Sequence, residues 1–234
     1  MHSLNWVAGI AVGVLACGTA SAAWTGKGTF GGVLARGNTD TETINAVLDV
    51  AREGERWTHR AGGSWLRTVN DDVTSADRWE LRGESNYDLT DRSHLFGTLR
   101  YEDDRFTDFK YQGTAAVGYG YHFIATDRTK LEGQIGPGVR RTERRTTGEE
   151  NTDAIGRGAV NFEHKLTGTT LVYDRFLVES GSDNTFYQNQ LGIEVKMTDV
   201  FALGLDYTMR HNTDVEGGKD KTDSVVTANL VYSF

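Results

Sequence analysis

The sequence predicts a transmembrane, antiparallel, up-and-down β-barrel of about twelve strands behind a cleaved leader. Three observations carry this. The last stretch alternates strictly: Val226, Ala228, Leu230, Tyr232 and Phe234 share one parity, and Asp223, Val225, Thr227, Asn229, Val231 and Ser233 the other. That period of two belongs to a strand with one apolar face. Only 38% of the residues are hydrophobic, which is low for a soluble core and normal for a barrel that is apolar on one side only. The chain has 28 glycines and one proline, which suits long strands joined by tight turns. The formal net charge is −8 with scattered basic residues, so nucleic acid is not an expected partner.

Residues 1–22 contain no Lys, Arg, Asp or Glu. The apolar run Trp6 to Ala16 is too short for a membrane helix. Ala20-Ser21-Ala22 is a small-x-small cleavage site, so 1–22 reads as a signal peptide and 23–234 as the barrel. The single cysteine, Cys17, lies in the leader. Leu15 stands where a lipoprotein box needs a small residue, so plain cleavage is preferred to lipidation. The mature chain then has no thiol chemistry.

The elements follow in order. Trp24 to Leu34 is glycine-rich, with Trp24, Phe30 and Leu34 in phase. Glu42 to Arg52 sets Ile44, Ala46, Leu48 and Val50 against Asn45 and Asp49. Trp57 to Val69 has Trp57, Ala61 and Trp65 in phase. In Asp77 to Leu89, Trp79, Leu81, Gly83, Ser85, Tyr87 and Leu89 alternate with Arg78, Glu80, Arg82, Glu84, Asn86 and Asp88. A helix would scatter those charges all round, which excludes it. His94 to Glu102 and Tyr111 to Ile124 continue the pattern. In Lys130 to Arg144, Pro137 removes a ladder donor, and a bulge is expected there. Thr152 to Leu166 alternates. Thr170 to Val178 is ambiguous, with apolar residues on both parities. Phe186 to Met197, Val200 to Arg210 and Thr222 to Phe234 complete an even set.

Connections alternate in length. Those at 53–56, 90–93, 125–129, 167–169 and 198–199 are short; those at 70–76, 103–110, 145–151, 180–185 and 211–221 are longer and polar. Ala35 to Thr41 is read as the shortest outer connection. Short periplasmic turns with longer outer loops mark outer-membrane barrels. Aromatic residues collect at both strand ends. Trp24, Trp57, Tyr87, Tyr121, Phe123, Phe201, Tyr232 and Phe234 map to the short-turn side; Trp79, Tyr101, Tyr111, Tyr187 and Tyr207 map to the long-loop side. Trp79 and Tyr87 are about 26 Å apart along a strand. At a tilt of about 40° that is roughly 20 Å of height, close to the apolar band of such barrels.

The remaining parity is charged, and the expected lumen lining is Arg78, Glu80, Arg82, Glu84, Arg100, Glu102, Lys130, Glu132, Arg157, Glu163, Glu194, Lys196, Asp206 and Arg210. Interleaved signs can tune a narrow pore or fill the lumen with cross-strand ion pairs, and filling is the preferred reading. Acidic loop clusters (Asp71-Asp72; Asp103-Asp104 with Asp108; Glu149-Glu150 with Asp153; Asp214 with Glu216 and Asp220) lack a full ligand-loop spacing, so neither metal nor cofactor is expected. Asn-Thr-Asp at 38–40, 151–153 and 212–214 reads as turn chemistry.

Trp24-Thr25-Gly26, Arg36-Gly37-Asn38-Thr39-Asp40-Thr41, Tyr101-Glu102-Asp103-Asp104-Arg105-Phe106, Gly118-Tyr119-Gly120-Tyr121 and Gly136-Pro137-Gly138, in this order, resemble the salt-induced outer-membrane protein family. This family is often called YdiY-like and is a domain family of unknown function. The resemblance implies an outer-membrane barrel of a Gram-negative bacterium, a link to salt or osmotic stress and no catalytic residues.

The function expected is a structural barrel or narrow polar channel in contact with lipid and lipopolysaccharide. Leu230, Tyr232 and Phe234 resemble the signal that the barrel-assembly machinery reads. Two other readings compete. A surface hydrolase would use His211 near Asp206 and Asp214 at the outer rim. A soluble periplasmic barrel would turn the apolar face inward around a ligand.

Overall fold

The computed structural model describes residues 24–35, 41–107, 109–215 and 220–234. The leader, the first outer turn with its Asn-Thr-Asp, Asp108 and Glu216 lie outside the described residues. The strands are β1 (Trp24–Ala35), β2 (Thr41–Glu53), β3 (Trp57–Asn70), β4 (Val73–Thr90), β5 (Ser93–Asp104), β6 (Phe109–Ala125), β7 (Thr129–Arg144), β8 (Glu150–Lys165), β9 (Thr170–Ser180), β10 (Thr185–Lys196), β11 (Phe201–Asn212) and β12 (Thr222–Ser233). Each pairs antiparallel with its sequence neighbours, and β12 returns to β1 to close the barrel. Closure is what the composition requires, because an open edge in lipid would leave backbone groups unsatisfied at several kcal/mol each.

Polarity is inside-out relative to a soluble protein. Leu99, Val117 and Ile135 are 65%, 62% and 72% exposed on the exterior, while Glu102, Asp206 and Arg210 are buried in the interior. The soluble-barrel reading, which needs the apolar face inside, is overturned by this.

Three local expectations are corrected. The β3–β4 connection is not a seven-residue loop but the tight turn Asp71–Asp72, both at positive φ (46° and 64°). Those dihedrals suit a hairpin that follows strand twist, and they let β4 start at Val73. The first outer connection is therefore not the shortest of its set. Most outer connections are short for the same reason: strands run on above the membrane, and Asn151 to Asp153 sits inside β8 rather than in a turn. Finally, Pro137 makes no bulge. It pairs with Gly156 in unbroken register, and the β6–β7 ladder keeps its register on either side, from Ala116↔Gly138 to Tyr119↔Ile135. A Cβ on Gly136 would collide with the Val117 carbonyl and Gly118 Cα, so the glycines flanking this site let the strands close in where the donor is missing. Register shifts fall instead at strand ends: Thr68/Val69, Asp88/Thr90, Phe109/Tyr111 and His122/Ile124.

Candidate functional site in the barrel lumen

Strand parity decides what enters the lumen. β4 sends in Arg78, Glu80, Arg82 and Glu84; β5 sends in His94, Phe96, Arg100, Glu102 and Asp104. In the closed order β5 and β11 stand opposite each other. Arg210 Nη2 on β11 nevertheless donates to both oxygens of Glu102, at 2.7 and 2.6 Å. The pair spans the lumen. Arg100 Nη2 reaches β9, donating to Glu179 Oε2 at 2.5 Å, and its Nη1 donates to Glu102 at 3.1 Å. Glu80 lies 3.8 Å from Arg100, and Asp104 lies 3.7 Å from Arg78 and 3.8 Å from Arg210. Phe186 of β10 completes the cluster, with the guanidinium carbons of Arg100 and Arg210 each 4.9 Å from its ring centroid. Phe186 is 1% and Glu179 2% exposed, so both side chains are fully packed in the cluster. Interleaved signs make this burial tolerable: each guanidinium meets a carboxylate, and the ring face takes up positive charge where hydrogen bonds run out. Arg100 Nε and Arg210 Nε do lack hydrogen-bond partners.

Below this cluster, between β1–β4 and β9–β12, lies a polar cavity of about 170 Å³. Lys27 donates to Glu194 at 2.8 Å, and Arg82 bridges Asp49 (2.5 Å) and Glu80 (3.3 Å). Asp206 accepts from Tyr173 Oη, from Gln190 Nε2 at 3.1 Å and from Asn229 Nδ2 at 2.6 Å. Across the lumen, Arg157 donates to Gln134 at 2.9 Å and lies over Phe96, and Glu132 is 3.2 Å from His94. Glu84 accepts from Arg60 at 3.1 Å, and Glu163 faces inward opposite Tyr173. Two expected lining residues sit elsewhere: Lys130 is exposed at the start of β7, and Lys196 pairs with Asp199 of the next turn at 3.1 Å. Both belong to the periplasmic mouth, because the pattern of the strand continues past the wall it lines.

Sequence reading missed Phe186, Glu179, Arg140 and His94. Phe186 shares parity with Gln188 and Gln190, which was the available signal. Glu179 was hidden because β9 turns Leu171, Tyr173 and Leu177 inward as well. Arg140 is buried, donating to the Asn184 carbonyl at 2.6 Å.

The aromatic residues form two rows outside. Trp57 meets Tyr87 (ring centroids 5.0 Å), Phe201 meets Tyr232 (5.3 Å) and Tyr232 meets Phe234 (5.8 Å) at the short-turn end, with Trp24 and the Tyr121–Phe123 pair on the same side. Trp79, Tyr101 and Tyr111 stack in sequence at 5.2 and 5.7 Å at the other end, where Tyr187 meets His211 and Tyr207 stands exposed. Leu230, Tyr232 and Phe234 all face outward. The Phe234 ring covers the bare Cα of Gly26, and the two backbones exchange hydrogen bonds of 2.8 and 2.9 Å. His211 also faces outward, bonded through Nδ1 to Thr222 at 2.8 Å. Asp206 faces the lumen, so the pair that a rim hydrolase would use is split between the two sides of β11.

A twelve-stranded barrel with an apolar exterior between aromatic rows and an ion-paired interior has the architecture of outer-membrane β-barrels. Residues 28–234 match the family described as a protein of unknown function, DUF481, and the chain belongs to that family. It is 25% identical over 199 residues to the uncharacterized protein YdiY of Escherichia coli (strain K12), covering 85% of this chain and 78% of that one. Among solved structures its fold is similar to the NanC porin (TM-score 0.53, 13% identity, 91% of this chain and 99% of that one). It is also similar to an outer membrane channel from Pseudomonas putida F1 (TM-score 0.55, 9% identity, 93% and 97%).

Proposed function

We propose that this protein is an integral outer-membrane barrel whose resting lumen is occluded by Arg100, Glu102, Glu179, Phe186 and Arg210, so that it acts as a structural barrel and not as an open pore. The observation that carries this reading is the Glu102–Arg210 pair, which crosses the full ring of strands against a Phe186 that is 1% exposed. Breaking such a pair leaves a charge buried and uncompensated, at about 3–5 kcal/mol, so thermal opening is rare. The test is planar-bilayer conductance of the refolded protein in a salt gradient. The wild type is expected to show no steady current, and Arg210→Ala combined with Phe186→Ala is expected to conduct. Steady current through the wild type would overturn the reading.

The cavity beneath the cluster favours a second reading, a narrow polar channel that opens when the cluster parts; the reversal potential of the conducting variant would report its ion preference. No catalytic step is part of the proposal. The exterior is proposed to contact lipid and, at its outer rim, lipopolysaccharide. Residues Leu230, Tyr232 and Phe234 are proposed to be read by the assembly machinery. A role in salt or osmotic stress, implied by the resemblance, is tested by growth of a deletion strain at high salt.

A further inference from the structure

Among the described residues, the exterior between the two aromatic rows is apolar with one charged exception. On β9, Tyr173 and Arg175 line the lumen cavity, so Asp174 between them points outward. On β10, Gln188 and Gln190 line the same cavity, so Asn189 also points outward. Asn189 Nδ2 donates to Asp174 Oδ1 at 2.6 Å, its one hydrogen-bond partner among the described residues. In the register, Asp174 lies opposite Phe162 and Leu191, and Asn189 lies opposite Phe176 and Met209. Among the other outward acids, Asp77, Asp103, Glu143 and Glu150 sit above the outer aromatic row, and each has a basic partner in Arg105, Arg145, Lys110 or Arg141. Asp174 has none.

Depth sharpens the anomaly. Asp174 is four positions above the start of β9 and Asn189 seven above the end of β10. Strands rising about 3.3 Å per residue and tilted about 40° bracket the depth of this hydrogen-bonded pair between roughly 10 and 18 Å, counted from the two strand ends. Both therefore fall inside an apolar band of about 25 Å, beyond the reach of lipid headgroups. An ionisable side chain at that depth is costly and marks a functional contact.

We infer that the β8–β10 face is an interface between two copies of this chain in the membrane, related by a two-fold axis along the membrane normal. Two features select a second copy as the occupant. First, a carboxyl group with a spare acceptor oxygen beside an amide with a spare N–H is self-complementary, which is what a two-fold contact needs. Because the two groups are within one hydrogen bond of each other they share a depth, so the axis brings the partner's Asn189 to the level of Asp174 and the reverse. Second, higher on the same face, beyond Phe162 and Val160, the exterior of β8 is Ala154, Gly156 and Gly158. A Cβ at Gly156 would meet nothing within 4 Å, so another barrel can approach the backbone, as small residues permit in membrane contacts.

The experiment measures the detergent-corrected mass of the refolded full chain over a concentration range, with heat-modifiable gel migration reporting that each variant folds. The wild type is expected to be dimeric, and Asp174→Leu, which removes the polar group while suiting lipid, to dimerise at least tenfold more weakly. In outer membranes, Asn189→Cys is expected to form an oxidised dimer, whereas Leu99→Cys on β5 is not. A wild type that stays monomeric, an Asp174→Leu variant that dimerises like the wild type, or equal cross-linking through Leu99→Cys would overturn the inference.

Discussion

Glu102 holds two arginines from opposite walls, Arg210 bidentate and Arg100 at 3.1 Å. Glu102→Gln keeps the shape and removes the charge, leaving Arg210 with Asp104 at 3.8 Å as its nearest carboxylate in a closed section of the lumen, while Arg100 keeps Glu179. Unfolding in urea from lipid vesicles should show a loss of about 3–5 kcal/mol. Glu150→Gln removes an exposed pair with Arg141 (side chains 50% and 57% exposed) and should cost at most about 1 kcal/mol. A similar contrast separates Asp206 from His211. Asp206→Ala removes the acceptor shared by Tyr173, Gln190 and Asn229 in the lumen, while His211→Ala removes one exposed bond to Thr222, so only the first should lower stability by more than about 1 kcal/mol. Much of this was legible from parity alone, since Arg100, Glu102, Asp206 and Arg210 alternate with outward apolar residues. What parity cannot give is distance across a closed ring. That Glu102 would meet Arg210, 108 positions away, depends on barrel diameter and side-chain reach.

Among the elements, the hairpin turns were read least well from sequence. The Asp71–Asp72 turn was obscured because its polar neighbours look like loop; the hydrogen-bonded register that makes them strand is set by pairing, not by composition. Both residues hold positive φ at a cost that glycine avoids. Asp72→Gly should therefore raise the urea midpoint, by the equivalent of about 0.5–1 kcal/mol, and a fall would show that the Asp72 side chain makes a compensating contact. The closing strand was read correctly in phase, yet its seat on Gly26 was not visible: a glycine in β1 says only that something comes close. Deleting Phe234 removes two backbone bonds, worth about 1–3 kcal/mol together, and uncovers the Gly26 backbone. The purified deletion mutant should still refold in detergent, while the amount inserted in cells falls. Normal insertion in cells would show that the residue is not an assembly signal, and failure to refold would show that its role is structural.

At the scale of the whole molecule, the barrel, its strand number and its inside-out polarity were legible, because alternation repeats in nearly every segment and closure follows from the solvent. The exception was β9, where Leu171, Tyr173 and Leu177 face a lumen that is itself partly apolar. The ladder between β1 and β12 runs only from Lys27↔Ser233 to Gly32↔Ala228, with Gly26 and Phe234 adding one more exchange, whereas β1 and β2 pair from Trp24 to Ala35. The seam is thus laced over the periplasmic part of the two strands and runs without ladder pairing above Gly32 and Ala228. A cylinder fastened in this way has one preferred tear line. Amide hydrogen exchange should begin at Thr222 to Thr227 and travel toward the periplasmic end, so the last stitch to open is the one at Phe234.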